Sequence, residues 1–161
     1  MENKSEVVGL AFTREQFLTL MKMVYIANTV VNGRREDEEF LKVYDDIEQI
    51  VFAKARQAGF PAATWHHEVD GESHDHPSAI FENDFELGKL MDDYDRETFW
   101  DELSLRLAER DIERVYGRGA KASLPPEEYK VLLDERIEMY DEEFAKHDIA
   151  NIKVEGVVDL T

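Results

Sequence analysis

The stretch that decides the fold is residues 98–116, TFWDELSLRLAERDIERVY. Placed on a helical wheel at about 100° per residue, its apolar side chains fall on two opposite faces. A helix that is apolar on two sides is usually packed on two sides. The two faces are displaced along the helix, so we expect this helix to change its packing partner midway. One face carries Phe99, Trp100, Leu103 and Leu107, and the other carries Leu105, Ala108, Ile112, Val115 and Tyr116.

Two helices are predicted before this stretch. The first spans residues 13–32 and begins with Thr13 and Gln16, which have the spacing of a capping box. The second spans residues 36–58 and stops at Gly-Phe-Pro, residues 59–61. The short link between them predicts a helical hairpin. The apolar face of the second helix is predicted to comprise Phe40, Tyr44, Ile47, Val51, Ala55 and Ala58.

The rest of the helical pattern lies on either side of the central stretch. A short helix is expected from Asn83 or Asp84 to residue 94, and Asp95 is expected to cap the central helix. The central helix is expected to end at Gly117, and the pair Pro125-Pro126 predicts the first turn of a last helix reaching about residue 146. The central helix and this last helix are predicted to form a second hairpin.

The fold class predicted from these patterns is all-α, in a single domain over residues 1–161. We expect a compact bundle of four long helices and one short helix. At most a minor two-stranded β element is expected, formed by the termini. Residues 61–78 are expected to be one long irregular segment. The chain is long enough for a core, and its 43% of hydrophobic residues lies within the globular range.

The net charge of −18 argues against nonspecific binding to nucleic acid or to anionic lipid, because both require clustered Lys and Arg. It favours cationic partners or divalent cations, although many bacterial cytosolic proteins are simply acidic. The absence of cysteine excludes disulfides, thiolate catalysis and iron–sulfur clusters. No signal peptide and no membrane span are predicted, so a cytoplasmic location is expected.

Histidines are concentrated in one short segment. His66, His67, His74 and His76 lie within eleven residues, interleaved with acidic side chains. Imidazole and carboxylate together are typical ligands of Zn²⁺, Ni²⁺ or Fe²⁺. The spacing does not match the H-E-x-x-H pattern of a catalytic zinc helix, and a solvated polar loop is the alternative. We therefore take these four histidines as the candidate metal ligands.

Carboxylates spaced for Mg²⁺ occur on two predicted helices. Glu36 and Glu39 have E-x-x-E spacing, and Glu138 and Asp141 have E-x-x-D spacing. Carboxylates three residues apart share a helix face, so such pairs can hold Mg²⁺ on a substrate's phosphates. With 37 acidic residues in the chain, pairs like these also arise by chance.

Arginines stand out on the central helix. Arg106, Arg110 and Arg114 share a face with Leu103. A structural ion-pair network is the favoured interpretation, because buried guanidinium groups need carboxylate partners. An anion-binding site is the alternative.

Three functions remain open after these observations. The favoured one is a non-enzymatic protein-interaction or oligomerisation module, with a homo-oligomer or another protein as partner. The second is a metal-binding protein or metal-dependent hydrolase that uses the histidine segment or the carboxylate pairs. The third is an acidic decoy that mimics nucleic acid. No nucleophile motif, Walker loop or cofactor fingerprint assigns a catalytic residue or an organic cofactor.

Overall fold

A computed structural model describes residues 8–69 and 71–153. The chain forms two compact units that meet in sequence between Met91 and Asp92. The predominantly helical class is confirmed, whereas the predicted arrangement of helices as a bundle stays a prediction. None of the helices within the described ranges has the length and apolar character needed to cross a membrane.

The first unit contains two helices, two 3-10 turns, a β-hairpin, a short helix and the start of a long one. The second contains the rest of the long helix, a short helix and a final long helix. The elements are α1 Arg14–Asn32, a 3-10 turn Asp37–Glu39, α2 Lys42–Ala55, a 3-10 turn Pro61–Ala63, β1 Thr64–Val69, β2 Glu72–Pro77, α3 Ala79–Glu82, α4 Phe85–Tyr116, α5 Ala120–Ser123 and α6 Pro126–His147.

The first unit is built on the packing of α1 against α2. The predicted capping box is present, since the Thr13 hydroxyl accepts from the Gln16 amide and the Gln16 side chain accepts from the Thr13 amide. Phe52 of α2 and Phe81 of α3 meet edge to face, with ring centroids 5.1 Å apart. Together with the buried residues Met21, Ala55 and Leu87, these two rings form the core of the first unit.

The sheet is not where the sequence predicted it. Residues 61–78 were expected to be irregular, but β1 and β2 form an antiparallel hairpin there. The segment TWHHEV is rich in the aromatic and β-branched residues that favour strands, and Gly71, at φ 83°, supplies the turn. The described residues of the two termini, 8–13 and 149–153, contain no strand, and Val7 and residues 154–161 lie outside the described residues.

The central helix is longer than predicted. The short helix expected to end at residue 94 and the helix expected to follow a cap at Asp95 are one helix, α4. Asp84 caps it by accepting a 3.0 Å bond from the Leu87 amide. Asp95 lies inside the helix, because the sequence after Gly88 has no glycine or proline that would break it before residue 117.

Apolar contacts and a hydrogen bond between α4 and α6 hold the second unit together. Trp100 of α4 lies 5.2 Å from the ring of Phe144 of α6, and Ile112 and Tyr129 share a small core with Ala120. Tyr140 of α6 donates its hydroxyl to Asp111 of α4 at 2.5 Å. The predicted end of the long helix is correct, since Gly117 follows it with φ 94°.

The continuity of α4 at Asp95 is testable with two substitutions. Asp95→Pro removes a backbone donor in a helix interior, so we expect a loss of about 3 kcal/mol in the free energy of unfolding. The helix content of this variant, measured by circular dichroism, should also be lower than that of the parent. Urea denaturation provides the free energy.

Asp95→Ala is the matched control for the continuous helix. Alanine is a better helix former than aspartate, so this variant should be neutral or slightly more stable. If Asp95 were a cap, the alanine variant would lose about 1 kcal/mol and the proline variant would be tolerated, which would contradict a continuous α4.

Candidate metal centre

The first half of α2 turns part of its polar side inward. Only 4% of the surface of Glu48 is exposed, and Asp45 and Gln49 beside it are half-buried. Two residues predicted to face the core, Tyr44 and Ile47, are exposed instead. The sequence analysis assumed that the apolar face of this helix would be the buried one. In the first half of α2, polar side chains are buried and apolar ones are exposed. A reversal of this kind is informative because burying a carboxylate is unfavourable.

The hairpin brings three of the four candidate histidines onto one face. Strand residues directly opposite each other, and those two apart, share a face. The register pairs His67 with His74 and Trp65 with His76, so these four side chains lie together. The rings of His67 and His76 have centroids 5.4 Å apart. His66 pairs with Asp75 on the opposite face, where its Nδ1 lies 3.1 Å from the Asp75 carboxylate.

A possible set of metal ligands forms where β2 packs against α2. One ligand atom from each of Asp45, Glu48 and His76 lies within 4.8 Å of the others. Among the residues that the structure describes, these three side chains form the group of His, Cys, Asp or Glu residues close enough together to hold a metal ion. Only His76 belongs to the predicted ligands. Asp45 and Glu48 have the same i, i+3 spacing as the carboxylate pairs considered above, but neither was among the predicted ligands.

Hydrogen bonds from α1 and from within α2 orient the two carboxylates. Asn28 of α1 donates to Glu48 Oε2 at 3.1 Å, and Asn32 donates to the Asn28 side-chain oxygen at 2.8 Å. Gln49 donates to Asp45 Oδ2 at 2.6 Å. Such supporting bonds fix the geometry of metal ligands in proteins.

One further histidine supports this arrangement. His74 Nδ1 lies 3.3 Å from the Gln49 side-chain oxygen. Because that oxygen can only accept, His74 carries its proton on Nδ1 in this contact. The path from His74 through Gln49 therefore ends on the Asp45 carboxylate. Two of the predicted histidines, His74 and His76, are thus connected to the same site in different ways.

Burial dominates the electrostatics of the site. It raises the pKa of Glu48 to about 7, against the lowering effect of the Asn28 hydrogen bond and with help from Asp45 and Glu82. Burial, followed by the neighbouring imidazoles, lowers the pKa of His67. Its Nδ1 is out of contact with solvent and has no hydrogen-bond partner among the described residues. Neutral imidazole is the form that binds metals.

The ligand set borders an open cleft of about 860 Å³. Glu48 and His76 line this cleft, and so do residues of α1 that include Tyr25. Trp65 lines it as well and is not buried in the core, since 57% of it is exposed. A metal ion at Asp45, Glu48 and His76 would therefore be accessible to a small molecule.

The carboxylate pairs predicted for Mg²⁺ are not part of this ligand set. Glu36 and Glu39 are exposed at the first 3-10 turn, and Glu138 and Asp141 are exposed on α6. The two pairs belong to different units of the chain. Neither pair belongs to a cluster of three or more metal-ligating side chains in the described part of the chain.

The arginines of α4 each lie beside a carboxylate. Arg106 donates to Glu102 at 3.0 Å, and Arg110 donates to Asp111 at 2.9 Å. Arg114 reaches the same Asp111 at 3.5 Å. All three guanidinium groups are substantially exposed, so each ion pair contributes little to stability. The guanidinium groups are therefore paired but not buried, contrary to the burial from which the ion-pair interpretation was argued, and the choice between that interpretation and an anion site stays a prediction.

Comparisons with known proteins provide no relative. No family model matches the chain, and neither a curated protein nor a solved structure matches it.

The raised pKa of Glu48 predicts a pH-dependent stability. Below its ordinary pKa of 4.5 the carboxyl is protonated in both states, and between 4.5 and about 7 only the unfolded state ionises. Stability is therefore lost as pH rises through that window, by about 3 kcal/mol in total. Glu48→Gln should accordingly be more stable than the parent at pH 8, with the difference vanishing near pH 4.

Thermal or urea denaturation from pH 4 to pH 8, with a chelator present, measures this difference. The chelator is needed because a bound cation would offset the unfavourable burial of charge. Glu38→Gln, at an exposed residue of the first 3-10 turn, is the matched control for loss of one negative charge. A Glu48→Gln advantage that is equal at pH 4 and pH 8 would contradict the prediction.

Proposed function

We propose that this protein binds a divalent transition-metal ion through Asp45, Glu48 and His76 and uses it for hydrolysis in the adjoining cleft. The observation that supports the proposal is the convergence of these three ligand atoms within 4.8 Å around a buried carboxylate. A buried, poorly compensated carboxylate in a cleft is a common mark of a functional site.

The donor set favours certain ions. One imidazole and two carboxylates suit Zn²⁺, Mn²⁺ or Fe²⁺ better than Mg²⁺ or Ca²⁺, which prefer oxygen alone. A divalent cation would also neutralise the two carboxylates of α2, and so remove the unfavourable free energy of burying Glu48.

The number of ligands favours a catalytic site over a purely structural one. Structural zinc sites are closed by four protein ligands, whereas catalytic sites keep a position for water or substrate. Asp45, Glu48 and His76 provide three ligands, of which Glu48 and His76 line the cleft, so a fourth position would remain for water or substrate. A metal ion held by these three residues would lower the pKa of bound water to about 7 and so supply a nucleophile, which the sequence does not offer as a cysteine or a serine motif.

Metal binding should depend on the ligands and not on the histidine segment as a whole. We expect zinc titration of chelator-treated protein, followed by calorimetry, to give one site with a Kd in the micromolar range or tighter, equivalent to about −8 kcal/mol. His76→Ala and Asp45→Asn should weaken binding by at least about tenfold, since loss even of a supporting contact can do so.

His66→Ala is the control variant, because His66 belongs to the same hairpin but lies on its other face. It should bind zinc as the parent does. Equal losses in His66→Ala and His76→Ala would indicate a loosely bound ion on the hairpin, and the absence of binding to the parent would overturn the proposal.

A second candidate function, association with another protein, is supported by the outward side of α2. Val43, Ile47 and Ile50 follow one another at helical spacing, with 63%, 51% and 60% of their areas exposed. Contiguous exposed apolar side chains often mark interaction surfaces. The partner expected from the sequence is a second copy of the chain or a basic protein.

Light scattering coupled to size-exclusion chromatography tests whether the partner is a second copy of the chain. If α2 mediates self-association, the parent should form dimers as concentration rises, and Ile47→Glu should remain monomeric because it places a charge in the apolar stripe. Val131→Glu changes an equally exposed residue of α6 and is the control. A parent that is monomeric at all concentrations would leave only a different protein as partner.

A further inference from the structure

The charged side chains that line the cleft are acidic. Two carboxylates, Glu48 and Glu82, line it, and no lysine or arginine does so among the described residues around it. Aromatic side chains, Tyr25 and Trp65, form other parts of the lining. We propose that this cleft recognises an organic cation, the ammonium group of a small amine, through Glu82 and Trp65. The proposal rests on the proposed function in that Glu48 and His76 serve both the metal site and the cleft.

Glu82 supplies the negative charge that a metal ion would not neutralise. It belongs to α3 and is not one of the three clustered ligands. Its carboxylate is close enough to act on two groups of the cleft. It contributes, after burial, to raising the pKa of Tyr25, and it contributes to the same effect on Glu48. The cleft therefore has a negative potential that attracts cations.

Trp65 supplies a ring surface for the cation. One side of its ring stacks on His67, with centroids 4.3 Å apart and planes 19° from parallel. Yet 57% of the residue is exposed, although tryptophan is normally well buried. A tryptophan face is the best aromatic partner for an ammonium ion, and the interaction strengthens where water is partly excluded.

Anionic ligands are disfavoured by the same residues. Phosphate and carboxylate groups are usually held by arginine, by lysine or by the start of a long helix. The cleft presents Glu82 instead, which would repel them. Together with a metal at Asp45, Glu48 and His76, this pattern selects a substrate that carries an amine at one end and a hydrolysable group at the other.

Three probes with one ring and different head groups isolate the role of charge. Benzylamine, benzyl alcohol and benzoate are titrated into chelator-treated protein and into zinc-loaded protein, and binding is followed by amide chemical shifts. We expect benzylamine to bind at least tenfold more tightly than benzoate in both forms. Using the chelator-treated form excludes a simple amine–zinc bond as the cause.

Glu82→Gln tests the assigned residue. Because Glu82 is exposed, the variant should fold as the parent does, which circular dichroism checks. Benzylamine affinity should fall about tenfold while benzyl alcohol binding stays the same. Zinc affinity should stay within a factor of about two. Trp65→Leu, which retains an apolar side chain, should also weaken benzylamine more than benzyl alcohol.

The outcomes separate the two proposals. Zinc binding at the three ligands, combined with equal affinity for the three probes or with no effect of Glu82→Gln, would overturn the cation proposal alone. Selective benzylamine binding that depends on Glu82, combined with no zinc binding, would support the cation cleft and overturn the metal proposal. Selective amine binding in both forms, together with zinc binding, supports both.

Discussion

Burial of the Glu48 carboxylate is the constraint on which the first unit depends. The side chain is 4% exposed and receives one hydrogen bond among the described residues, from Asn28. Its position is held by a chain of amides, since Asn28 is bonded to Asn32, and Asn32 bonds both the amide and the carbonyl of Leu41. The end of α1, the start of α2 and the buried acid are therefore one hydrogen-bonded structure.

This arrangement is unfavourable for an isolated protein. A carboxyl group whose pKa is raised to about 7 is half ionised near neutral pH in surroundings that disfavour its charge. The outer side of α2 adds a second unfavourable feature, because Val43 and Ile50 face solvent while Asp45 and Glu48 face inward. A cation bound at the inner face of α2 would offset the buried charge, and a partner bound at its outer face would cover the exposed apolar side chains. Natural proteins accept such local departures mainly at functional sites.

The second unit has a different character. Its polar contacts lie near the surface, as in the group formed by Arg110, Asp111 and Tyr140. There the Tyr140 and Arg110 bonds lower the pKa of Asp111 against the effect of burial, so the charge is compensated within the structure. The arginines that stood out in the sequence each lie beside a carboxylate, whereas Glu48, the buried acid whose charge is not compensated in this way, lies in the first unit.

Local signals in the sequence determined the helical class, the capping box at Thr13, the end of α4 before Gly117 and the start of α6 at the proline pair. They did so because capping and backbone preferences act over a few residues. Only the tertiary structure decided which face of α2 is inside and that His76 meets Asp45 and Glu48. These depend on the pairing of β1 with β2 and on the packing of β2 against α2. A contact between residues far apart in the chain leaves no periodic trace in either segment.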